Sequence, residues 1–307
     1  MPAALTDRAM LGYPGMNRTL RARDPPVRAN RSMRKTTFED RGLTYASELA
    51  VRNVEGLLKI LRWNADHDVR FYRCPSKLVP WNSRFDLEEL PDFPEIERLA
   101  GLCGDLLDRE EMRLTFHPDY WCKLASTSAD TRARSKRAIE YHADWLELLG
   151  REPTPYDGID VHIGATYDDR EATADRFRAT VRELSPDARA RLTVENDDDR
   201  SLWGVTDLVS VVDPLDVPVL FDYHHHSFTD RGRSYREGFA AAADTWDRRP
   251  AVHYAEPARL RDWESDPQAH AEHVAALPDW LRKRADVMIE AGGKERAVLR
   301  ARSDLSS

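Results

Sequence analysis

The stretch VPVLFDYHHH, residues 217–226, joins a short apolar run to one carboxylate and three consecutive histidines. The β-branched and aromatic residues of its first half are typical of a strand buried on both faces, as in a parallel sheet. Asp222 and the histidines then lie at the carboxyl end of that strand, where parallel-sheet folds place their chemistry. Carboxylate and imidazole together can bind a divalent ion. The same residues could also form a helix N-cap followed by a polar loop, and this stretch alone does not separate the two interpretations.

A short apolar run followed by a helical segment recurs along the whole chain. Leu49, Val54, Leu57, Leu58 and Leu61, for example, recur at helical spacing and define one apolar face. The predicted strands cover residues 10–13, 69–74, 112–116, 158–161, 191–194, 217–221, 251–254 and 286–289. The predicted helices cover residues 44–66, 95–108, 129–149, 170–184, 203–212, 235–245 and 269–281. Eight such units predict a single (β/α)₈ TIM barrel over residues 1–291, followed by a polar tail, residues 292–307, with a short helix at 294–300.

Six of the predicted strands end on a histidine or a carboxylate. In a parallel barrel all carboxyl ends of strands point to one rim, so these side chains are expected to converge. Each one alone could be a buried histidine or an acid that caps the next helix, but the repetition favours a metal site at the rim. The residues are His117, His162, Glu195, Asp222, His253 and Glu290.

The ligand types indicate the chemistry of this site. Imidazole and carboxylate suit Zn²⁺ or Mn²⁺, and the lack of thiolates disfavours a structural zinc site. There are more ligands than one ion requires, and Glu195, central in the order, is predicted to bridge two ions. Several cations at one site can neutralise a phosphate and stabilise the leaving oxygen, so the pattern favours phosphate-ester cleavage.

Composition and charge limit the class of protein. Charged residues make up 33% of the chain, and no apolar run approaches the roughly 20 residues that cross a bilayer. The N-terminus lacks the apolar core of a secretion signal, so the protein is expected in the cytoplasm. Three cysteines form no CxxC pair and are predicted to be buried. The net charge of −8 argues mildly against a nucleic-acid partner. Residues 18–35, however, carry seven basic side chains and one acid. This segment is either a solvated loop or an arm that contacts phosphates.

A few other positions are interpreted one by one. Tyr120 and Trp121 directly follow the third predicted strand, where aromatic side chains could stack on bases, wedge into a duplex, or pack onto the next helix. His270 lies after the seventh strand and is a further, weaker ligand candidate. His67 and His142 are expected on solvated helix faces, without a role in the site.

A set of short motifs occurs in order along nearly the whole chain, and the ordered set is specific although each motif alone is weak. The motifs are Leu11-Gly12-Tyr13-Pro14, Asn17-Arg18-Thr19-Leu20, Asn64-Ala65-Asp66-His67, His117-Pro118, Val161-His162-Ile163-Gly164, Glu195-Asn196-Asp197, Asp222 with His225-His226, Val252-His253, Ala285-Asp286-Val287-Met288-Ile289-Glu290-Ala291, and Gly293-Lys294-Glu295. On these residues the sequence resembles the UV damage endonucleases, known as UvdE or UvsE proteins.

The resemblance implies a TIM barrel related to the endonuclease IV group, with two or three divalent ions. Manganese is the ion expected, while Zn²⁺ and Mg²⁺ remain open. By the family pattern a first ion is held by His117, His162 and Glu195, a second by Glu195, Asp222, His253 and Glu290, and a third by His225 and His270.

The resemblance also implies an activity and a partner. The family nicks double-stranded DNA immediately 5′ to a lesion and leaves a 3′-hydroxyl, acting on cyclobutane dimers, 6-4 photoproducts and often abasic sites. Tyr13 and Asn17 match residues near the damaged nucleotides, and Arg18 with the rest of the basic segment is expected to contact the DNA backbone. No membrane and no protein partner are expected, and the protein is predicted to be a monomer.

Three positions depart from the family pattern. The loop that probes the duplex reads Asp119-Tyr120-Trp121 instead of Gln followed by Tyr or Phe, Lys77 replaces a common His, and Ala251 replaces a common Lys. The ligand positions are all filled, so these changes bear on substrate range and rate rather than on metal binding. The mechanistic hypothesis is that Glu195 bridges two ions, an activated water attacks the phosphorus, and the third ion or Lys77 steadies the leaving 3′-oxygen.

Two other functions are compatible with the same barrel. A sugar isomerase or epimerase of the xylose-isomerase type shares a rim of His and carboxylate ligands but needs no basic arm and no aromatic wedge. A lesion-binding protein with impaired catalysis would account for Ala251, Lys77 and the altered probe loop.

Overall fold

Eight short parallel strands close into a barrel in the computed structural model, which describes residues 9–303. Each strand pairs in parallel with the next along the chain, and the eighth pairs with the first. The strands are β1 (Leu11–Pro14), β2 (Phe71–Cys74), β3 (Arg113–Phe116), β4 (Ile159–Val161), β5 (Leu192–Glu195), β6 (Val219–Asp222), β7 (Ala251–Tyr254) and β8 (Asp286–Ile289). At the β1–β2 contact, Gly12 lies opposite Phe71, and a Cβ there would come within 2.0 Å of the Phe71 carbonyl oxygen, so only glycine fits. The predicted TIM barrel is confirmed.

The helices surround the strands and alternate with them along the chain. They are α1 (Arg18–Arg21), α2 (Lys35–Asp66), α3 (Phe93–Arg109), α4 (Ala129–Leu148), α5 (Arg170–Arg182), α6 (Pro186–Ala190), α7 (Val205–Val212), α8 (Tyr223–Thr229), α9 (Tyr235–Ala243), α10 (Asp279–Arg282) and α11 (Glu295–Ser303). Short 3₁₀ helices occupy Asn82–Arg84, Leu87–Glu89, Pro155–Asp157, Asp213–Leu215 and Ala258–Leu260. Most predicted helices lie within a few residues of these bounds, but α2 begins at Lys35 rather than at Thr44 and is interrupted by a non-helical Gly42.

The prediction of a helix at residues 269–281 is wrong. Residues 255–278 form a long connection instead, which contains the 3₁₀ helix Ala258–Leu260 and an isolated antiparallel bridge between Pro257 and His270, and α10 covers only Asp279–Arg282. The local reason is Pro278, which stands directly before α10, because a proline favours the start of a helix and disrupts its interior. The loop therefore brings His270 back over the barrel rim instead of placing it on an outer helix.

Alternation along the strands divides their side chains between two cores, because successive residues of a strand point to opposite faces. Phe71, Leu220, Ala251 and Met288 belong to a small inner cluster with Trp246. Their neighbours on the same strands belong to the large cluster between barrel and helices. Residues two positions beyond the inner cluster share its face, so Arg73, Asp222, His253 and Glu290 continue the barrel interior towards the carboxyl rim.

The amino end of the barrel is closed by a buried ion pair. Arg113 and Asp286 are almost fully buried, and Arg113 Nη1 lies 3.1 Å from Asp286 Oδ2. Arg249 Nε lies 3.2 Å from Asp286 Oδ1, and the backbone N–H of Met10 donates to the same oxygen. Charge balance at this end is a matter of stability, because barrel enzymes carry their chemistry at the opposite rim.

The three cysteines are buried, as predicted. Residues 295–303, which the sequence assigns to a polar tail, form α11, whose Ala297, Val298 and Ala301 are buried, and α11 contacts β1 and α1. The end of the domain at residue 291 stays a prediction. Within residues 9–303, no helix has the length and apolar character that crossing a membrane requires.

Candidate metal centre

The strand ends bring the predicted ligands to one rim of the barrel. Glu195, Asp222 and His253 lie at or next to the last positions of β5, β6 and β7, and His117, His162 and Glu290 directly follow β3, β4 and β8. Because the strands are parallel and these residues have the inward parity, their side chains face one another across the barrel axis.

Glu195 lies at the centre of this group. Its side chain is 2% exposed, and four imidazole rings surround its two carboxylate oxygens. His117 Nε2 and His162 Nε2 lie 3.3 and 3.4 Å from Oε2, whereas His225 Nδ1 and His253 Nδ1 lie 3.2 and 3.1 Å from Oε1. One carboxylate therefore faces two separate pairs of rings, one pair on each oxygen.

Two sets of three side chains have donor atoms close enough to share an ion. His117, His162 and Glu195 form one set, and Glu195, Asp222 and His225 form the other, with all donor atoms of a set within 4.8 Å of one another. Glu195 belongs to both sets, which is the geometry that a bridging carboxylate requires. The structure thus places His225 beside Asp222, whereas the family pattern groups His225 with His270.

The remaining two predicted ligands extend the group. Glu290 Oε1 lies 3.4 Å from His253 Nδ1, and Glu290 Oε2 lies 3.7 Å from His270 Nδ1. All eight predicted ligand residues are therefore linked by contacts of 3.1 to 3.8 Å through Glu195, Asp222 and Glu290. How they divide among ions stays a prediction.

Asp222 is both a helix N-cap and a candidate metal ligand, the two interpretations that residues 217–226 allowed. Its Oδ1 accepts a hydrogen bond of 2.7 Å from the backbone N–H of His225, so it caps α8 and the three histidines form the first turn of that helix. Its Oδ2 is buried and accepts no hydrogen bond from residues 9–303. Asn196 fixes the strand end, because its side chain exchanges hydrogen bonds of 2.8 and 3.1 Å with the backbone of Asp222.

The unsatisfied atoms fit divalent ions. A buried carboxylate oxygen without a hydrogen bond is costly, and in the described residues both Asp222 Oδ2 and Glu195 Oε2 lack one. The donor set is imidazole and carboxylate, which suits a borderline or hard divalent cation. The three cysteines are buried and belong to neither ligand set, so the centre offers no thiolate.

Attraction between the buried carboxylates and the rings of His162, His225 and His253 dominates the electrostatics of the centre and raises the pKa of these three histidines. Burial alone would raise the pKa of Glu195, but the His253 and His162 charges bring it well below its usual range. Burial alone would lower the pKa of His253, whereas Glu195 and Glu290 raise it to about 10. Ions bound here would compete with protons for the imidazole nitrogens, so binding is expected to release protons.

Two of the imidazoles have their second nitrogen close to an oxygen of the protein. His117 Nδ1 lies 2.9 Å from the Pro118 carbonyl oxygen, which leaves Nε2 free towards Glu195. His162 Nδ1 lies 3.2 Å from Asp197 Oδ1, and its Nε2 likewise faces Glu195. Such outer partners set the tautomer and the direction of a metal-binding histidine.

The sequence matches a known protein family. A family model described as UV-endonuclease UvdE matches residues 9–307. The chain belongs to this family. The resemblance drawn from the ordered motifs is thereby confirmed.

Relatives of the UvdE family match the chain to different extents. A UV-damage endonuclease of Schizosaccharomyces pombe is 31% identical over 303 residues, which are 95% of this chain and 50% of that protein, so the chain spans half the length of this curated relative. The crystal structure of SacUVDE covers 97% of this chain and 98% of its own, with 26% identity and a TM-score of 0.83. Endonuclease IV from Thermus thermophilus, at 15% identity and a TM-score of 0.54 over 82% of this chain and 93% of its own, shows the shared fold alone.

In this UvdE family member, a pocket of about 670 Å³ opens at the centre. His117, His162 and His225 line it together with the cations Arg73, Lys123 and Lys294. Arg73 forms an ion pair with Glu290, and its Nη1 lies 3.4 Å from His253 Nε2. The wall of the pocket thus combines ligand residues, these three cations and three carboxylates, Asp119, Asp197 and Asp198.

The residues predicted to contact a lesion lie in two different environments. Tyr13 and Asn17 are buried: the Tyr13 hydroxyl donates to Asn64 Oδ1 at 2.7 Å, and Asn17 Nδ2 donates to the Tyr13 oxygen at 2.9 Å. Burial raises the pKa of Tyr13 well above its usual value. Neither side chain lies on the surface in this structure, and their contact with DNA stays a prediction.

Tyr120 and Trp121 lie on the surface at the pocket edge. Tyr120 is 88% exposed and lines the pocket, and Trp121 is 39% exposed and donates from Nε1 to Asp119 Oδ2 at 3.0 Å. Lys77 Nζ contacts the same Asp119 oxygen at 2.6 Å, and Lys77 is not among the residues that line the pocket. The structure therefore ties Lys77 to the probe loop rather than to the ligands, and its role in catalysis stays a prediction.

Arg18 lies at the outer edge of the rim. Its guanidinium pairs with Glu272 and its backbone N–H donates to Glu295 Oε2 at 2.8 Å, so part of the basic segment is attached to the C-terminal part of the barrel. Its contact with a DNA backbone stays a prediction.

Several residues of the centre were not identified from the sequence. Asn196 and Asp197 stand in a motif that was noticed, but only Glu195 of that motif was assigned a role. Arg73 is the last but one residue of β2, and the rule used for the six ligands could have included it, although its side chain is neither His nor carboxylate. The pocket cation Lys123 lies in a loop outside these motifs, whereas Lys294 stands in the motif Gly293-Lys294-Glu295, to which no role was assigned.

Proposed function

We propose that this protein is a metal-dependent DNA repair endonuclease. It hydrolyses the phosphodiester backbone of double-stranded DNA immediately 5′ to UV photoproducts, namely cyclobutane dimers and 6-4 photoproducts, and also at abasic sites. The observation that carries the proposal is Glu195, which belongs to two ligand sets at once at the rim of a UvdE-family barrel. Two or three divalent ions, Mn²⁺ first among them, would occupy these ligands.

The centre would be assembled by the chain's own residues. Glu195 would bridge two ions, with His117 and His162 on one side and Asp222 and His225 on the other. His253, Glu290 and His270 would complete the ligand set. Ions bound there would neutralise the phosphate, lower the pKa of a water and stabilise the leaving 3′-oxygen.

The surrounding residues would position the DNA. Tyr120 and Trp121 project from the pocket edge, and exposed aromatic rings at that place can stack on bases or enter a distorted duplex. The strand that carries the lesion would then place its phosphate in the pocket between the ligands and the cations Arg73 and Lys294.

The proposal is tested by nicking of UV-irradiated and unirradiated supercoiled plasmid, each with Mn²⁺ and with chelator. Nicking that requires both damage and metal is expected. An oligonucleotide duplex with one cyclobutane dimer would then locate the cut, which should lie directly 5′ to the dimer and leave a 3′-hydroxyl. Absence of nicking under every condition would contradict the proposal.

The same material separates the other two functions. Damage-selective binding without nicking would indicate a lesion-binding protein, and turnover of a ketose by the Mn²⁺-loaded protein would indicate a sugar isomerase or epimerase. The exposed pair Tyr120 and Trp121 favours DNA over a small sugar, because a sugar site gains nothing from aromatic rings on its outer edge. That the protein acts as a cytoplasmic monomer stays a prediction.

A further inference from the structure

Lys294 has an unusual backbone. It follows Gly292 and Gly293 after β8 and directly precedes α11, and its φ of 54° lies in the left-handed region. A residue with a Cβ is disfavoured there, and glycine is the residue that normally occupies such a position. Non-glycine residues in this region cluster at functional sites, where the surrounding structure holds them in place.

The turn that holds Lys294 is fixed by close packing. A Cβ on Gly293 would come within 2.6 Å of the Glu272 carbonyl oxygen, and Gly293 N–H donates to that oxygen at 2.7 Å. Lys294 N–H donates to the Ala291 carbonyl at 3.1 Å, and the Lys294 carbonyl accepts from Ala297 in the first turn of α11. The backbone of Lys294 therefore has a single conformation set by its neighbours.

The side chain of Lys294 lines the pocket without a partner. Three cations line this pocket, and two of them are engaged: Arg73 pairs with Glu290, and Lys123 Nζ donates to the Gly164 carbonyl at 3.2 Å. Within residues 9–303, Lys294 Nζ makes no hydrogen bond and no ion pair. Burial and the neighbouring Arg73 lower its pKa. Glu290 and Glu272 lie near enough to act on this charge, but neither forms an ion pair with it, so the partly buried ammonium remains available to an anionic ligand.

We infer that Lys294 is a phosphate-contact residue of the pocket. Its ammonium donates a charge-assisted hydrogen bond to a non-bridging oxygen of the phosphate that the ligands take up. The inference rests on the proposed function for the identity of that phosphate, which is the scissile phosphodiester of DNA. The left-handed backbone turns the side chain towards the pocket, and this explains why a lysine occupies a position that suits glycine.

The test compares four proteins loaded with Mn²⁺: wild type, Lys294→Met, Lys294→Gly and Lys294→Arg. Inorganic phosphate is the probe, titrated by calorimetry, and Mn²⁺ affinity is measured in the same way. Lys294→Met and Lys294→Gly should weaken phosphate binding roughly 10- to 100-fold, the range expected for one hydrogen bond to a charged group. Lys294→Arg should restore part of it, and Mn²⁺ affinity should not fall in any of the three variants.

A matched control and a stability readout separate binding from folding. Lys283 is exposed before β8, at the opposite end of the barrel, so Lys283→Met removes the same charge and should leave phosphate affinity unchanged. Lys294→Gly should keep or raise Tm, because glycine fits a φ of 54°, while it loses phosphate binding. A purely structural lysine would instead lower Tm in that variant and leave phosphate affinity intact.

Cleavage provides the last readout. On damaged duplex, Lys294→Met should lower kcat/KM about 100-fold, as loss of one donor to a transition-state oxygen does. If wild type does not nick DNA, the proposed function fails, and the phosphate titration alone decides the role of Lys294. Wild-type phosphate affinity in both Lys294→Met and Lys294→Gly would overturn the inference.

Discussion

Asp197 holds the far side of the His162 ring: its Oδ1 lies 3.2 Å from Nδ1, while Nε2 of the same ring faces Glu195 at 3.4 Å. Asp197 is itself fixed, because the Trp203 backbone N–H donates to its Oδ2 at 3.2 Å. Burial alone would lower the pKa of His162, but Glu195 and Asp197 raise it. A carboxylate in this place orients the ring and increases its strength as a ligand.

Asp197→Ala should therefore weaken Mn²⁺ binding about 10- to 100-fold, the usual effect of removing such an outer partner. Calorimetric titration of the metal-free protein measures this directly. Asp199→Ala, an exposed aspartate two positions further along, is the control and should bind like wild type. An unchanged affinity in Asp197→Ala would show that His162 needs no support from this carboxylate.

Glu195 has the largest expected effect on the reaction. Glu195→Ala removes the side chain shared by both ligand sets, so cleavage of damaged DNA should fall by more than about 100-fold, beyond the effect of an outer partner. Binding to damaged duplex should stay largely intact, because Glu195 is buried beneath the pocket. Nicking and gel-shift assays check the two parts, and retained cleavage would exclude the bridging role.

Much of this centre could be predicted from the chain because parallel strands make its geometry simple. Asp222 and His253 stand at strand ends that are recognisable from short apolar runs, and parallel ends meet at one rim whatever the details of packing. The contact between Arg73 and Glu290 could not be predicted in the same way. It joins β2 to β8 across 217 positions of sequence and depends on closure of the barrel.

Predictions from local sequence patterns were wrong where tertiary contacts outweigh helix propensity and the pattern of polar residues. Residues 269–281 have apolar spacing like that of a helix, yet the bridge between Pro257 and His270 holds that segment as a loop. His142 was expected on a solvated face of its helix and is 3% exposed, because α4 packs that face against the barrel. His67 is exposed, as expected.

The burial of His142 predicts how stability depends on pH. Burial lowers its pKa from 6.5 to about 4, so the unfolded chain takes up a proton first as the pH falls. The contribution of His142 to stability is thus complete above pH 6.5 and is lost as the pH falls towards 4, by up to about 3 kcal/mol at 1.4 kcal/mol per pKa unit.

Urea unfolding of chelator-treated protein from pH 4 to pH 8 measures this dependence. The ligand histidines titrate as well, so the comparison is with His142→Gln, which keeps them and removes only the buried imidazole. His142→Gln should lose stability less steeply between pH 6.5 and pH 4 than wild type does. Equal slopes for the two proteins would contradict a neutral, buried His142.

Breaking the buried ion pair at the amino end of the barrel should lower stability and leave metal binding unchanged. Arg113→Met leaves Asp286 buried with Arg249 as its remaining cationic partner, so the free energy of unfolding should fall by about 3 kcal/mol, the lower end for a broken buried pair. Mn²⁺ affinity should not change, because the ligands lie at the other rim. Arg137→Met on the exposed face of α4 is the control, and a loss below about 1 kcal/mol in Arg113→Met would indicate that Arg249 compensates fully.

Tyr120 and Trp121 should contribute to DNA binding and little to the stability of the fold. Tyr120 is 88% exposed, whereas Trp121 is 39% exposed and bonds to Asp119, so replacing both residues with alanine should lower Tm only slightly, while affinity for dimer-containing duplex should fall by about 1–3 kcal/mol per lost stacking contact. Affinity for undamaged duplex should fall less, because intact base pairs offer no unstacked base. Leu102, 39% exposed on α3 like Trp121 on its loop, supplies the control Leu102→Ala. Fluorescence anisotropy with matched damaged and undamaged duplexes gives both affinities, and an equal loss for the two duplexes would mean that the aromatic pair contacts DNA without selecting the lesion.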